Sequence, residues 1–159
     1  MVTAVPLQQQ LDAKVNEIKQ VVGAVGEEKG ARRPADGEWC VKEILSHLCG
    51  DEGEGLGDGL RRFIDEETPL IGIVTGLPYY TPKRQAMSVS DLLSQVESQY
   101  QQMGDFVGGL SDEQLARKAR IPGLRDTPIG EYPTLALFAG GLINFHLSDH
   151  INQLRTLCQ

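Results

Sequence analysis

Apolar residues recur at steps of three and four over residues 7–25, where Leu7, Leu11, Val15, Ile18, Val22 and Val25 make one stripe. Gln, Lys and Glu fill the opposite face, the pattern of an amphipathic helix. Gly30, Pro34 and Gly37 mark a loop after it. A second helix is predicted from about Trp39, with Val41, Ile44, Leu45 and Leu48 as its buried arc. Glu43 stands three residues after a cap-like position, Cys40. Beyond Cys49 the run Gly50 to Gly59 is rich in glycine and reads either as a weakened continuation of that helix or as a break, since each interior Gly costs about 1 kcal/mol against Ala. Leu60, Phe63 and Ile64 indicate that helical packing resumes or persists.

From about Thr68 to Met87 the chain carries Pro69, Gly72, Gly76, Pro78 and Pro82. This is a long connection of the kind that is often functional inside a compact domain. Ser88-Val-Ser-Asp91 resembles a capping box and opens a third helix, with Leu92, Val96, Tyr100, Met103 and Val107 as its stripe. Ser111-Asp-Glu-Gln114 opens a short helical piece. Pro122, Gly123, Pro128, Gly130 and Pro133 punctuate the next connection. The last helix is predicted from roughly Pro133 to Leu157, with Leu135, Ala139, Leu142, Ile143, His146, His150, Leu154 and Leu157 on one face. No alternating strand pattern and no internal repeat is found. The expectation is an all-α four-helix bundle, residues 1–159 forming one domain, with long connections between helices 2 and 3 and between helices 3 and 4.

The 159 residues are 40% hydrophobic and 23% charged, an ordinary globular composition. At 6% aromatic, Leu, Val, Ile and Ala must fill most of the core. A formal charge of −7 argues against a nucleic-acid or anionic-membrane surface as main partner. The basic pairs Arg32-Arg33, Arg61-Arg62 and Lys83-Arg84 lie beside acids and read as solvated surface. No apolar run reaches the roughly 18 residues that span a bilayer, and Met1 to Gln10 has no secretory pattern. The three cysteines are odd in number and lack CxxC spacing, which suits reduced thiols in a cytoplasm. Cytoplasmic location, a small-molecule substrate, no nucleic acid and no membrane are therefore the expectations.

The candidate chemistry lies in the three histidines. His146 and His150 are spaced i, i+4 and so stack on one helix face, where two imidazoles can share one cation. HxxxH alone is weak, but this pair falls on an apolar face, where imidazoles need partners. Three neutral imidazoles would leave a divalent metal at full charge with an open position, whereas closed structural zinc sites use four protein ligands. Such a centre supports two chemistries: a bound water brought to a pKa of about 7, for hydrolysis, or a bound thiol deprotonated for transfer. The sequence does not choose between them.

Trp39-Cys-Val-Lys-Glu-Ile-Leu-Ser-His47-Leu resembles the second-helix signature of the DinB-like (YfiT-type) superfamily. His146-Leu-Ser-Asp-His150-Ile-Asn-Gln153 resembles its C-terminal metal motif. The resemblance covers nearly the whole chain in helix order and spacing. It implies a four-helix bundle, often a homodimer, with His47, His146 and His150 as ligands of a divalent metal, typically zinc or nickel. Characterised relatives include S-transferases that use a low-molecular-weight thiol such as bacillithiol or mycothiol, and a thiol-dependent maleylpyruvate isomerase. A metal-dependent, thiol-using S-transferase is thus the leading expectation, with a metal-dependent hydrolase as alternative, and a non-catalytic bundle braced by its metal or acting in a stress response as a third reading. Two features depart from the family pattern: Cys40 where relatives usually carry a capping serine, and the glycine-rich run after Cys49.

Candidate outer partners of the imidazoles are Glu43, Asp51, Asp149 and Gln153. Glu43, Asp51, Glu54 and Asp58 fall within an arc of ~80° about His47 if the helix stays regular, although charge runs are usually solvent faces. Cys40, near a helix N-terminus, is a weaker candidate for an activated thiol. Cys49 lies ~200° around the helix from His47 and is not expected to share its metal. Tyr79, Tyr80 and Arg84 either line a pocket or belong to a surface loop.

Overall fold

A computed structural model describes residues 4–73 and 75–159, the side chain of Leu56 excepted. Residues 1–3, part of the stretch read for a leader, and residue 74, within the first long connection, lie outside the described residues. Among the latter there is no strand beyond isolated bridges such as Leu70 with Arg120.

The first stripe folds as α1 (Ala4–Val22), which buries Leu7, Leu11, Val15, Ile18 and Val22 as its periodicity predicts, whereas Val25, also assigned to the stripe, falls past the helix end and is half-buried. A short α2 (Glu27–Ala31) follows, and then α3 (Val41–Cys49), whose N-terminus is a capping box of Cys40 and Glu43. Gly50 ends α3 at φ 73° and ψ −171°, a backbone region essentially reserved for glycine. The glycine-rich run is therefore a break, and the chain restarts as α4 (Leu56–Asp65), burying Leu60 and Phe63.

Across the first connection, α5 (Pro82–Gln85) is a single turn capped by Thr81. The Ser88 box opens α6 (Val89–Gly108), with Leu92, Val96, Tyr100, Met103 and Val107 buried as the sequence predicts. The Ser111 hydroxyl accepts from Gln114 N–H to start α7 (Asp112–Leu115). A 3-10 turn, Pro122–Leu124, interrupts the second connection. The last rod comprises α8 (Leu135–Gly141), a π-helical turn (Leu142–Leu147) and α9 (Ser148–Leu157).

In a straight α-helix, positions four apart drift by about 40° per step. Leu135, Ala139, Ile143, Leu147 and Ile151 are nonetheless all buried, because the wider π turn absorbs the drift. His146 and His150 do not share that core stripe, contrary to the expectation from periodicity. They lie on an adjoining face with Leu142, Phe145 and Asp149, which line a cavity instead.

The core helices α1, α3, α6 and the last rod pack as a four-helix bundle, α6 touching both α1 and α3, and α9 touching α1 and α3. The two long connections cross at one end. Ile71 N–H donates to Arg120 O at 2.9 Å, and Arg120 N–H to Pro69 O at 2.8 Å. Arg117 fastens the second connection to the end of α4, donating to Phe63 O at 2.6 Å and Glu66 O at 2.8 Å.

Candidate metal centre

His47 lies in the last turn of α3, while His146 and His150 come from the π turn and α9. Packing of α3 on α9 brings all three rings together. The His47 and His146 centroids are 5.2 Å apart, and His150 is 4.7 Å from each. One nitrogen from each ring can be chosen so that the three lie within 4.8 Å of one another. His47 Nε2 and His146 Nε2 are 3.0 Å apart.

The second nitrogen of a ring decides which way its lone pair faces. His47 Nδ1–H donates to Leu77 O at 2.7 Å, in the first connection. His150 Nδ1–H donates to Gln153 Oε1 at 3.0 Å. Both rings thus present Nε2 to the common point. With His47 Nε2 accepting, the proton of the short histidine contact sits on His146 Nε2, and a cation would displace it.

Burial drives the His146 imidazole down to about 4, reinforced by His150 and His47, with Asp149 opposing the shift. Burial also lowers His150, its bond to Gln153 partly offsetting the effect. Both rings are therefore neutral at ordinary pH, the form in which an imidazole can ligate. Two nitrogens that bind one cation at about 2.0–2.1 Å cannot stand more than about 4.2 Å apart. The 3.0 Å pair meets that limit, so the donor set fits a divalent metal after small ring movements. No fourth His, Cys, Asp or Glu joins the cluster among the described residues.

Four residues were singled out beside the ligands. Gln153 bonds His150 as above, and Asp149 faces the cavity that the histidines border. Glu43 turns away: its carboxylate accepts from Arg33 at 2.8 and 2.9 Å and from Cys40 N–H at 3.2 Å. Asp51 lies past the Gly50 break in a separate polar groove with Glu52 and Lys83. That break also removes Glu54 and Asp58 from any common face with His47. Burial raises the Cys40 thiol rather than activating it, and pushes Cys49 up to about 11.

Two contributors escaped the sequence reading. Trp39 lies nearly parallel to His150, with centroids 6.3 Å apart, and 5.0 Å from His47. Its place just ahead of the α3 cap was the available signal. Arg84, expected as solvated surface in its pair with Lys83, or as a pocket or surface-loop residue, is instead only 4% exposed. Its guanidinium donates to Ser46 O at 3.1 Å and to Tyr79 O at 3.3 Å, and also to Gly50 O. Ser46 Oγ–H donates to Tyr79 O at 2.9 Å. Arg84 thereby satisfies carbonyls at the end of α3 and ties down the segment that supplies Leu77 O to His47. Tyr79 holds φ 51° there, a strained value for a side-chain-bearing residue.

The histidines border a cavity of 730 Å³. Ile73 and Thr75 from the first connection, Leu124 and Ile129 from the second, and Phe138 and Leu142 from the last rod form its walls.

A helical bundle whose three clustered imidazoles border such a cavity defines a class of proteins with a donor set able to hold a metal ion. The chain belongs to the DinB superfamily, whose family model matches residues 10–154. YfiT from Bacillus subtilis, described as a probable metal-dependent hydrolase with an unusual four-helix bundle topology, superposes on it with a TM-score of 0.69. That alignment covers 97% of this chain and 85% of YfiT at 20% identity, a likeness of fold. None of the curated proteins matches the chain.

Proposed function

We propose that the chain is a metal-dependent enzyme in which His47, His146 and His150 hold a divalent cation, zinc or nickel, and a small molecule reacts in the adjoining cavity. The observation that carries this reading is the convergence of three imidazoles without a fourth His, Cys, Asp or Glu donor among the described residues. A three-ligand centre keeps a position for water or substrate, unlike the closed four-ligand structural site. A cation there acts as a Lewis acid and lowers the pKa of a water or thiol that binds it.

The chain's own groups supply the rest. Leu77 O and Gln153 Oε1 hold two rings in the tautomer that presents Nε2. The Asp149 carboxylate faces the cavity as a proton acceptor, and the apolar walls limit water. The finer reading is a low-molecular-weight thiol as nucleophile and an electrophile entering the cavity, an S-transferase. A second reading, hydrolysis, is favoured by Asp149 and by the description of YfiT.

Incubation of the metal-loaded protein with monochlorobimane and a panel of thiols tests the transferase. Thiol-dependent conjugation that disappears in His47→Ala supports it. Turnover of ester or amide substrates with no thiol dependence leaves the hydrolase.

A further inference from the structure

We infer that the substrate taken up by this cavity is a mainly apolar small molecule with at most one anionic or soft donor group, which meets the histidine end. The inference rests on the proposed function only for which end of the cavity is reactive.

A volume of 730 Å³ suits a drug-sized ligand. Phe138, Leu142 and Phe145 on the last rod face Ile73, Leu124 and Ile129 on the two connections. Phe145 is 62% exposed and Ile73 40% exposed, so apolar surface stands in water at the mouth where a ligand would cover it. Beyond the imidazoles and the Trp39 indole, the polar side chains on the walls are Thr75, Thr127 and Asp149. The Thr127 hydroxyl already donates to Leu124 O at 2.7 Å and accepts from Ile129 N–H at 3.3 Å.

No lysine or arginine lines the cavity among the described residues. Arg125, in the same connection as Leu124 and Thr127, is engaged by Glu131 at 2.9 and 3.1 Å. A carboxylate, sulfonate or phosphate on the body of a ligand would lose its water and gain no counter-charge. The Asp149 carboxylate adds repulsion. One anionic atom can be matched by a cation on the histidines, but a second has no partner. Thiols that carry several carboxylates therefore suit the cavity less well than neutral thiols or neutral electrophiles.

N-phenyl-1-naphthylamine and 1-anilinonaphthalene-8-sulfonate share one aryl framework and differ by a sulfonate. Trp39, the chain's one tryptophan, lines the cavity, so its emission responds to a bound probe, and the effect of the cavity variants fixes the place of binding. On the metal-free full-length chain the neutral probe is expected to bind at least ~tenfold more tightly than the sulfonate. Phe145→Ala should weaken the neutral probe, and Thr75→Arg should narrow or reverse the preference. Equal or tighter sulfonate binding to the wild type overturns the inference, and needs no variant to be seen. Neutral-probe binding that ignores Phe145→Ala in a protein with unchanged circular dichroism also overturns it. Metal content measured on the same preparations separates the two claims. Metal uptake without probe preference sinks the substrate class alone, and preference without metal uptake sinks the catalytic reading alone.

Discussion

An imidazole can ligate only if its other nitrogen leaves the lone pair pointing inward, so the partners of the three rings matter as much as the rings. Gln153 is the cleanest case, because its amide is exposed and bonds His150 Nδ1 at 3.0 Å without filling the core. Gln153→Ala is expected to weaken metal binding by about 10–100-fold while leaving the melting temperature of the metal-free chain unchanged. Competition against a chromogenic chelator reads the first and calorimetry the second. Arg84 acts one step further back. Removing its guanidinium in Arg84→Met leaves the Ser46 and Gly50 carbonyls buried and under-satisfied, which costs about 2–3 kcal/mol in urea unfolding. It also loosens the segment carrying Leu77 O, so metal affinity should fall with stability, and Arg84→Lys should recover part of both.

The histidines also set a pH dependence. An imidazole in an unfolded chain titrates near its ordinary value of about 6.5, while in the native metal-free chain burial holds His146 at about 4. Between those values the unfolded state takes up a proton that the native state refuses. Stability present above about pH 6.5 is therefore lost as pH falls toward about 4, and the lowered His150 adds the same sign. The melting temperature of the metal-free chain should drop over that window, and His146→Gln should flatten the drop. A slope unaltered by the substitution would contradict this account.

At the scale of elements, the helix positions were legible wherever packing on one core fixed a repeat. The stripes of α1, up to its end at Val22, and of α6 could be read from spacing because each helix presents one face to the bundle. The last rod was legible only in part. Its existence and its histidine pair followed from spacing, but the π turn that rotates the pair off the core stripe has no local signature. The break at Gly50 was equally ambiguous, since glycine permits both a weak helix and a left-handed stop. Gly50→Ala separates these two roles: at φ 73° and ψ −171° a Cβ is strained, so a loss of about 1–3 kcal/mol is expected. An unchanged midpoint in chemical denaturation would mean that the backbone there adjusts freely. Leu77 O was invisible in the sequence, because every residue has a carbonyl and only the fold decides which one reaches His47.

For the whole molecule, the two long connections explain why a bundle of this size carries a cavity. They are joined by the Ile71, Arg120 and Pro69 backbone bonds and, although largely exposed, wall in the space beside the histidines. The fold class and the convergence of the three histidines could be anticipated from periodicity and from the family resemblance. The apolar character of the cavity could not, since the walls facing the last rod come from two connections without periodicity. The central claim is that imidazoles separated by about a hundred positions in the chain act as one metal centre. Elemental analysis of purified wild type beside His47→Ala tests it most directly. The account predicts near-stoichiometric divalent metal in the wild type and its loss in a variant that remains folded. Equal metal content in both proteins, or none in the wild type after loading and desalting, would contradict it.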